Sequence, residues 1–375
     1  MKLSQFKLTE KRREFLEKKL KIKLSQIKKA HIEDEKNIYG ENLIGETTLP
    51  LGIVGPVKVK TFKSKIKKYH IPLSTTEGAL IASVNRGCKA VNESGSVTVH
   101  IKEIGTTRGP VYETKNLGTG FWFIDWIEQN EKEIKEAAEK TSSHLQYLKF
   151  EAKVIGPYTY VRFYFKTDEA MGMNMATFAT ESINQLIKKK TGINCLALSG
   201  NFCLDKKPGW LNFLSGRGIS LWAETVIKKE VVQSVLKTTA EKIYEVWLAK
   251  NMISSALNGS LGFNAHFANI VAAFFAATGQ DLAHIVEGSL GITATKILTN
   301  GDLYFSIHLP ALMLGMVGGG TRLEIKKEAI KITQAKNRHE LVEVLGAAVL
   351  AGELSLLASL SQGSLAEAHQ KLGRK

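Results

Sequence analysis

Three ionisable side chains stand in apolar or glycine-rich settings. Glu77 follows Thr75-Thr76 and heads an apolar helical pattern. Lys206 lies in the turn-rich loop Ser199-Gly-Asn-Phe-Cys-Leu-Asp-Lys-Lys-Pro208. Asp281 closes an Ala-rich helical stretch at Thr278-Gly-Gln-Asp281. A carboxylate, an ammonium and a second carboxylate can form an acid relay whose proton affinities are shifted by burial and by one another. Taken singly, each reads better as a helix cap or a surface pair, so only convergence in space makes them chemical.

A second set of segments suits a ligand. Glu169-Ala-Met-Gly-Met-Asn-Met175 sits where a strand pattern gives way to a helix, and small, flexible residues at a helix start can receive a phosphate or a flat ring. A methionine-rich core contact is the alternative. Of the two glycine runs, Leu117-Gly-Thr-Gly120 and Gly315-Met-Val-Gly-Gly-Gly-Thr321, the second could let backbone come close to a ligand at Gly318 to Gly320, though taken alone a triple glycine is more often a turn or a close helix contact. No G-x-G-x-x-G follows a strand and opens a helix, which argues against a Rossmann site.

These groups need elements to hold them. Residues 1–40 read as an amphipathic helical arm with Leu16, Leu20, Leu24 and Ile27 at helical spacing. Val57 to Lys68 places lysines on alternate residues at first, as on the solvent face of a strand. Thr75 or Thr76 is the expected cap of the helix that follows. Strands are expected at 96–101 and 159–165, with a charged helix, IEQNEKEIKEAAEK, between them. From residue 216 onward the chain reads as mostly helical. EVVQSVLKTTAEKIYEVWLAKNMISSAL is expected to be one continuous helix, NAHFANIVAAFFAATG a second and LVEVLGAAVLAGELSLLASL a third.

Composition bounds the rest. The chain has 375 residues, 44% hydrophobic and 23% charged, which suits a packed protein of two or three domains or one domain carrying an insertion. The three cysteines, Cys88, Cys195 and Cys203, form no CxxC pair, so no metal cluster is expected and reduced thiols are. The net charge of +15 raises the question of nucleic acid, yet the lysines lack interleaved aromatics and no nucleic-acid motif accompanies them. A solvated basic surface, also fit for an anionic ligand, is the better reading. No uninterrupted apolar span or secretory leader stands out, so no membrane contact and a cytoplasmic location are expected.

The segment TTEGALIASVNRGCKA resembles the substrate-binding segment of HMG-CoA reductases. EAMGMNM, SGNFCLDKKPGW, GSLGFNAHFAN, ATGQD, GMVGGGT and GELSLLASLSQGSLAEAH resemble other segments of that family in the same order, from about Glu41 to His369. The resemblance is closer to the class shared by animals and archaea (class I, here without the animal membrane anchor) than to the bacterial class that uses NADH.

The resemblance implies an α+β fold: an N-terminal helical arm (1–40), a large helix-rich substrate domain (41–109 and 198–360), an inserted ferredoxin-like cofactor domain (110–197) and a C-terminal flap (361–375). It implies reduction of HMG-CoA to mevalonate by NADPH without a metal, in a homodimer or larger homo-oligomer whose sites lie between subunits. Lys206 matches the cation that steadies the developing oxyanion, Glu77 the proton donor, Asp281 the carboxylate coupling the two, and His369 the acid that protonates the leaving CoA thiolate. Ser83, Asn85, Arg86 and Lys237 resemble contacts to CoA; Arg108, Ser199, Lys250 and Asn269 resemble contacts to the HMG portion. Glu169, Met171, Gly172, Met173 and Asn174 resemble cofactor contacts, as do Gly318, Gly319, Gly320 and Thr321. Glu169 stands where the family has Asp. Ser143 and His144 match the pair that meets the 2′-phosphate of NADPH. No carboxylate falls within the run Lys140 to Tyr147, and preference for NADPH is expected to weaken as His144 loses its proton. Another CoA-thioester enzyme and an RNA-binding protein are the competing readings.

Overall fold

The computed structural model describes residues 8–25, 41–61 and 65–363. Eleven strands form the sheet structure: β1 (Leu51–Thr61), β2 (Lys67–Ser74), β3 (Val97–Arg108), β4 (Val111–Glu113), β5 (Gln146–Ile155), β6 (Tyr158–Lys166), β7 (Cys195–Ala197), β8 (Gly218–Ile227), β9 (Gly262–Phe263), β10 (Gly291–Ile297) and β11 (Leu303–Leu312). The order is β7-β4-β6-β3-β8-β11-β10-β9, with β1 and β2 joined beside β3 and β5 beside β6. Strand β3 links two regions: Thr98 to Gly105 pair with β8, while Thr106 to Arg108 pair with β6.

Alternation explains β1: Val57 and Val59 are buried while Lys58 and Lys60 turn outward, as their spacing predicts. Of the expected arm, the described residues 8–25 hold one long helix. Helix α1 (Thr9–Leu20) buries Leu16, but Leu20 is exposed and Ile27 lies outside the described residues. Its Arg12 and Arg13 donate to the Leu43 and Ile44 carbonyls, so backbone hydrogen bonds fasten the arm more than an apolar stripe does.

Between β4 and β7 run two helices, two strands and a third helix. The helices are α3 (Leu117–Gln129), α4 (Glu131–Glu139) and α5 (Met173–Thr191), and the strands lie antiparallel in the order β7-β4-β6-β5. The charged stretch expected as one helix divides at Asn130, whose Nδ2 donates back to the Trp126 carbonyl. The glycines of 117–120 lie in the first turn of α3, which Asn116 caps. These elements share a core of their own, built on Tyr112, Phe123, Ile127, Phe163, Phe165 and Ile183.

The larger core surrounds α10 (Arg338–Gln362). This helix is long and apolar enough to cross a membrane, but 94% of its apolar window is buried inside the molecule. It crosses α2 (Leu80–Ser94) closely: a Cβ on Gly87 would fall 1.9 Å from the Ala351 carbonyl oxygen, so only glycine permits the crossing. Helix α2 starts at Leu80 behind Ala79 rather than at a threonine cap. Thr75 is committed to a tighter local bond, its hydroxyl accepting the Glu77 N–H at 3.0 Å.

The expected long helix after residue 229 is broken. It runs as α6 (Lys229–Ser234) and α7 (Ala240–Val246), then as a π-turn over Trp247–Ser254. Lys237 takes a left-handed φ of 58°, and Thr239 restarts the chain by accepting the Lys242 N–H. Capping overrides an unbroken apolar period.

Candidate active site

Helix α8 (Phe267–Thr278) is the axis of the site. At its start, Asn269 Nδ2 donates to Glu77 Oε1 at 3.2 Å. Both side chains line a cavity of about 810 Å³, together with Ser83, Pro208, Asn264 and His266. The cavity is shaped by Glu353, fully buried on α10, which accepts from Asn251 Nδ2, the Ala265 and His266 N–H groups and Thr293 Oγ1 at 2.6 to 3.1 Å. It thereby satisfies backbone donors that the start of α8 leaves open.

Beyond the other end of α8 stands a second pair. Lys206 Nζ lies 2.8 Å from Asp281 Oδ2, with each side chain 39% exposed. Burial pushes the Asp281 carboxyl up, but the Lys206 hydrogen bond, the Ala283 N–H and the charge of His284 outweigh it and hold the group below its usual range. Asn269 and Thr278 are nine residues apart on α8, so roughly 14 Å of helix separates the levels of the two pairs. Among the described residues no hydrogen bond or ion pair joins Glu77 to Lys206 or Asp281. The expected buried relay is therefore corrected to two separate, partly exposed pairs within one chain.

Under Lys206 runs a largely buried charge network of which sequence reasoning selected only Arg108, at its edge. Arg217, fully buried, meets Glu287 Oε1 at 2.5 Å, Asp205 Oδ1 at 2.8 Å and Thr107 Oγ1 at 2.9 Å. Glu287 also accepts from His284 Nδ1 at 2.7 Å and from the Lys206 N–H at 3.3 Å. Arg108 lies 3.8 Å from Asp205. Oxygen and nitrogen atoms of Asp205, His284 and Glu287 fall within 4.8 Å of one another, as metal ligands would, but Arg217 already bonds both carboxylates, so a cation is built into the protein there. The signal was present: Asp281, His284 and Glu287 recur every third residue, which faces them to one side of a helical turn.

The two glycine-bearing segments come together. Ala170 bridges to Val317, and a Cβ on Gly315 would lie 2.4 Å from the Met171 nitrogen. Gln280, one residue before Asp281, bonds both the N–H and the carbonyl of Gly315, at 2.9 and 3.0 Å. Gly318 and Gly319 have φ of 89° and 55° with open space beside them, so the peptide groups there are accessible to a ligand. Gly320 instead packs on Gly279, and the Thr321 hydroxyl closes the turn on the Gly318 carbonyl. Asn174 is exposed at the start of α5 behind Gly172. Met173 points its sulfur at Arg217. The Glu169 carboxylate accepts the Arg338 N–H at 2.6 Å, tying this strap to the start of α10.

Other selected residues fall elsewhere. Arg86 is spent on α10, donating to Ser355 and Ser359. Asn85 accepts the Gly55 N–H, and Ser199 lies 3.7 Å from the Cys203 sulfur. Lys237 and Lys250 are exposed, Lys250 on the π-turn. Ser143 and His144 sit in the turn between α4 and β5 rather than at a helix start. A carboxylate does reach them: His144 Nδ1 is 3.2 Å from Asp168 Oδ2, supplied by the turn after β6. The local run could not reveal it. His369 lies outside the described residues.

The family profile for hydroxymethylglutaryl-coenzyme A reductase matches residues 8–374. The 3-hydroxy-3-methylglutaryl-coenzyme A reductase of Methanocaldococcus jannaschii is 48% identical over 379 residues, covering 98% of this chain and 93% of that protein. Its counterpart from Methanothermobacter thermautotrophicus is 46% identical over 371 residues, covering 97% and 92%. A solved structure of the class II reductase from Streptococcus pneumoniae, bound to NADPH in open conformations, superposes with a TM-score of 0.69 at 18% identity, covering 96% of this chain and 98% of that one. At that identity the likeness is one of fold.

Proposed function

The chain belongs to the hydroxymethylglutaryl-coenzyme A reductase family, and from that premise we propose that it is an NADPH-dependent oxidoreductase converting HMG-CoA to mevalonate and CoA. The observation that carries the reading is the Lys206–Asp281 ion pair at 2.8 Å. It supplies a fixed cation where each reduction leaves negative charge on the former carbonyl oxygen.

The open backbone of Gly318 and Gly319, beside Asn174, fits a nicotinamide dinucleotide, which supplies hydride when bound. The protein's own work is electrostatic and protic. Lys206 holds the oxyanion, and Asp281 keeps the lysine oriented and charged. Glu77, set by Asn269 beside the cavity, delivers the proton that turns alkoxide into alcohol. Collapse of the hemithioacetal breaks the C–S bond, and we assign His369, which lies outside the described residues, to protonate the departing thiolate; deletion of Ser364 to Lys375 tests that role. Ser83, Asn85 and Arg86, with Lys237, are assigned to the CoA side, Arg86 through its hold on α10. Arg108, Ser199, Lys250 and Asn269 are assigned to the HMG side.

Two separated pairs in one chain favour an active site shared between subunits of a homodimer or larger homo-oligomer. The exposed apolar side chains Trp210, Leu214, Ile253 and Leu257, 55%, 78%, 60% and 86% exposed, favour it too. The separate core of residues 112–195 and the antiparallel order β7-β4-β6-β5 support an inserted ferredoxin-like domain at 110–197. Identity to archaeal reductases supports the class I type, without a metal, acting in the cytoplasm. The decisive experiment follows absorbance at the reduced-nicotinamide band with HMG-CoA and each cofactor. Absence of HMG-CoA-dependent oxidation would overturn the reading.

A further inference from the structure

Asp281 has a second neighbour besides Lys206. His284 is fully buried in the turn that follows, with Nδ1 2.7 Å from Glu287 Oε1 and Nε2 3.7 Å from Asp281 Oδ2. Glu287 Oε1 already takes hydrogen bonds from the Arg217 guanidinium and the Lys206 N–H, so it stands as an acceptor toward His284. Nδ1 of His284 must therefore carry a proton. Nε2 is buried, has no hydrogen-bond partner among the described residues, and stands just beyond hydrogen-bond reach of Asp281. Buried polar atoms are rarely left open without a reason.

Charge makes the arrangement selective. The groups facing His284 or one step from it are Asp205, Asp281 and Glu287 against Lys206, Arg108 and Arg217, three negative and three positive. Both ring nitrogens of His284 thus face carboxylates, Glu287 and Asp205 on the Nδ1 side and Asp281 on the Nε2 side, which accept hydrogen bonds rather than donate them. Glu287 also takes the Lys206 backbone N–H, where Lys206 holds a left-handed φ of 58°. One buried pair thus holds the lysine's backbone and the carboxylate its ammonium needs.

We propose that His284 is a positioning residue of the reductase site: anchored on Glu287 through Nδ1, it presents an Nε2–H toward Asp281 and keeps that carboxylate opposite Lys206 while the substrate oxygen takes on charge. The proposal rests on Lys206 being the oxyanion cation. It involves no contact of His284 with substrate, so its loss acts on turnover rather than on binding.

Two isosteres separate this role from a structural one. In His284→Asn the amide nitrogen stands where Nδ1 was and nothing replaces Nε2; in His284→Gln the amide reaches the Nε2 position. The expectation is that His284→Gln retains kcat within about threefold, whereas His284→Asn loses about tenfold or more with KM for HMG-CoA nearly unchanged. Equal losses in both variants, or a retained kcat in His284→Asn, would overturn it. A readout independent of activity is the acetylation rate of Lys206 by acetic anhydride, followed by mass spectrometry in the full chain. Lys206 should react several-fold faster in His284→Asn than in the parent or His284→Gln; an unchanged rate overturns the proposal. A parent protein inert toward HMG-CoA would count against the reductase reading alone, since the labelling still decides whether His284 positions the pair.

Discussion

Asn269 Nδ2 donates to Glu77 Oε1 at 3.2 Å across 192 residues of chain, so the carboxylate proposed as proton donor is oriented by the first turn of α8. Glu77→Gln keeps an acceptor for Asn269 and removes only the acidic proton. Turnover of HMG-CoA should fall roughly a hundredfold or more, with melting temperature within a degree or so of the parent. An unchanged pH–rate profile would reduce Glu77 to a turn residue.

Lys206→Ala should lower kcat roughly a hundred- to a thousandfold. If sites are shared between subunits, mixing inactive Lys206→Ala with inactive Glu77→Gln and allowing subunits to exchange restores part of the activity, because one site of each hybrid is then free of both changes. No recovery after demonstrated exchange would place all catalytic groups in one chain.

Asp281 predicts a pH signature in stability. Its folded-state pKa is depressed below the ordinary 3.8. The group therefore contributes stability above that value and loses it as pH falls through the lower folded value. With 39% of the side chain exposed, screening keeps the effect small. Asp281→Asn should melt slightly lower than the parent at neutral pH, and the difference should vanish in acid. A gap that persists well below the ordinary carboxyl range would contradict this.

Glu353 is buried, bonded by four donors and faces no cation among the described residues. Glu353→Ala orphans all four, and the cost should reach about 3 kcal/mol or more by urea unfolding. The start of α8 should loosen with it, raising KM for HMG-CoA. A loss under about 1 kcal/mol would mean water replaces the carboxylate.

The His144–Asp168 contact revises the expectation for cofactor choice. A carboxylate beside the expected phosphate position opposes the 2′-phosphate and blunts the help from His144. Asp168→Asn should therefore raise the ratio of kcat/KM for NADPH over NADH several-fold, and His144→Arg should raise it further. Indifference of the ratio to both changes would move the phosphate site elsewhere.

Much of the site was readable before folding. Glu77, Lys206 and Asp281 announced themselves by charge in glycine-rich or apolar surroundings, and the two glycine segments by the backbone freedom they confer. Helix α10 and strands β3 and β6 followed from apolar period. Local capping broke the long helix expected after residue 229, because Thr239 and a left-handed Lys237 act within a few residues where periodicity averages over many. Partnership was the part that the chain alone could not specify. Asp168 reaches His144 from another turn, Glu353 reaches the start of α8 from the last helix, and Arg217 joins Asp205 to Glu287. Each of these contacts depends on distance in space, and separation along the sequence carries almost no information about that distance until packing has fixed the elements.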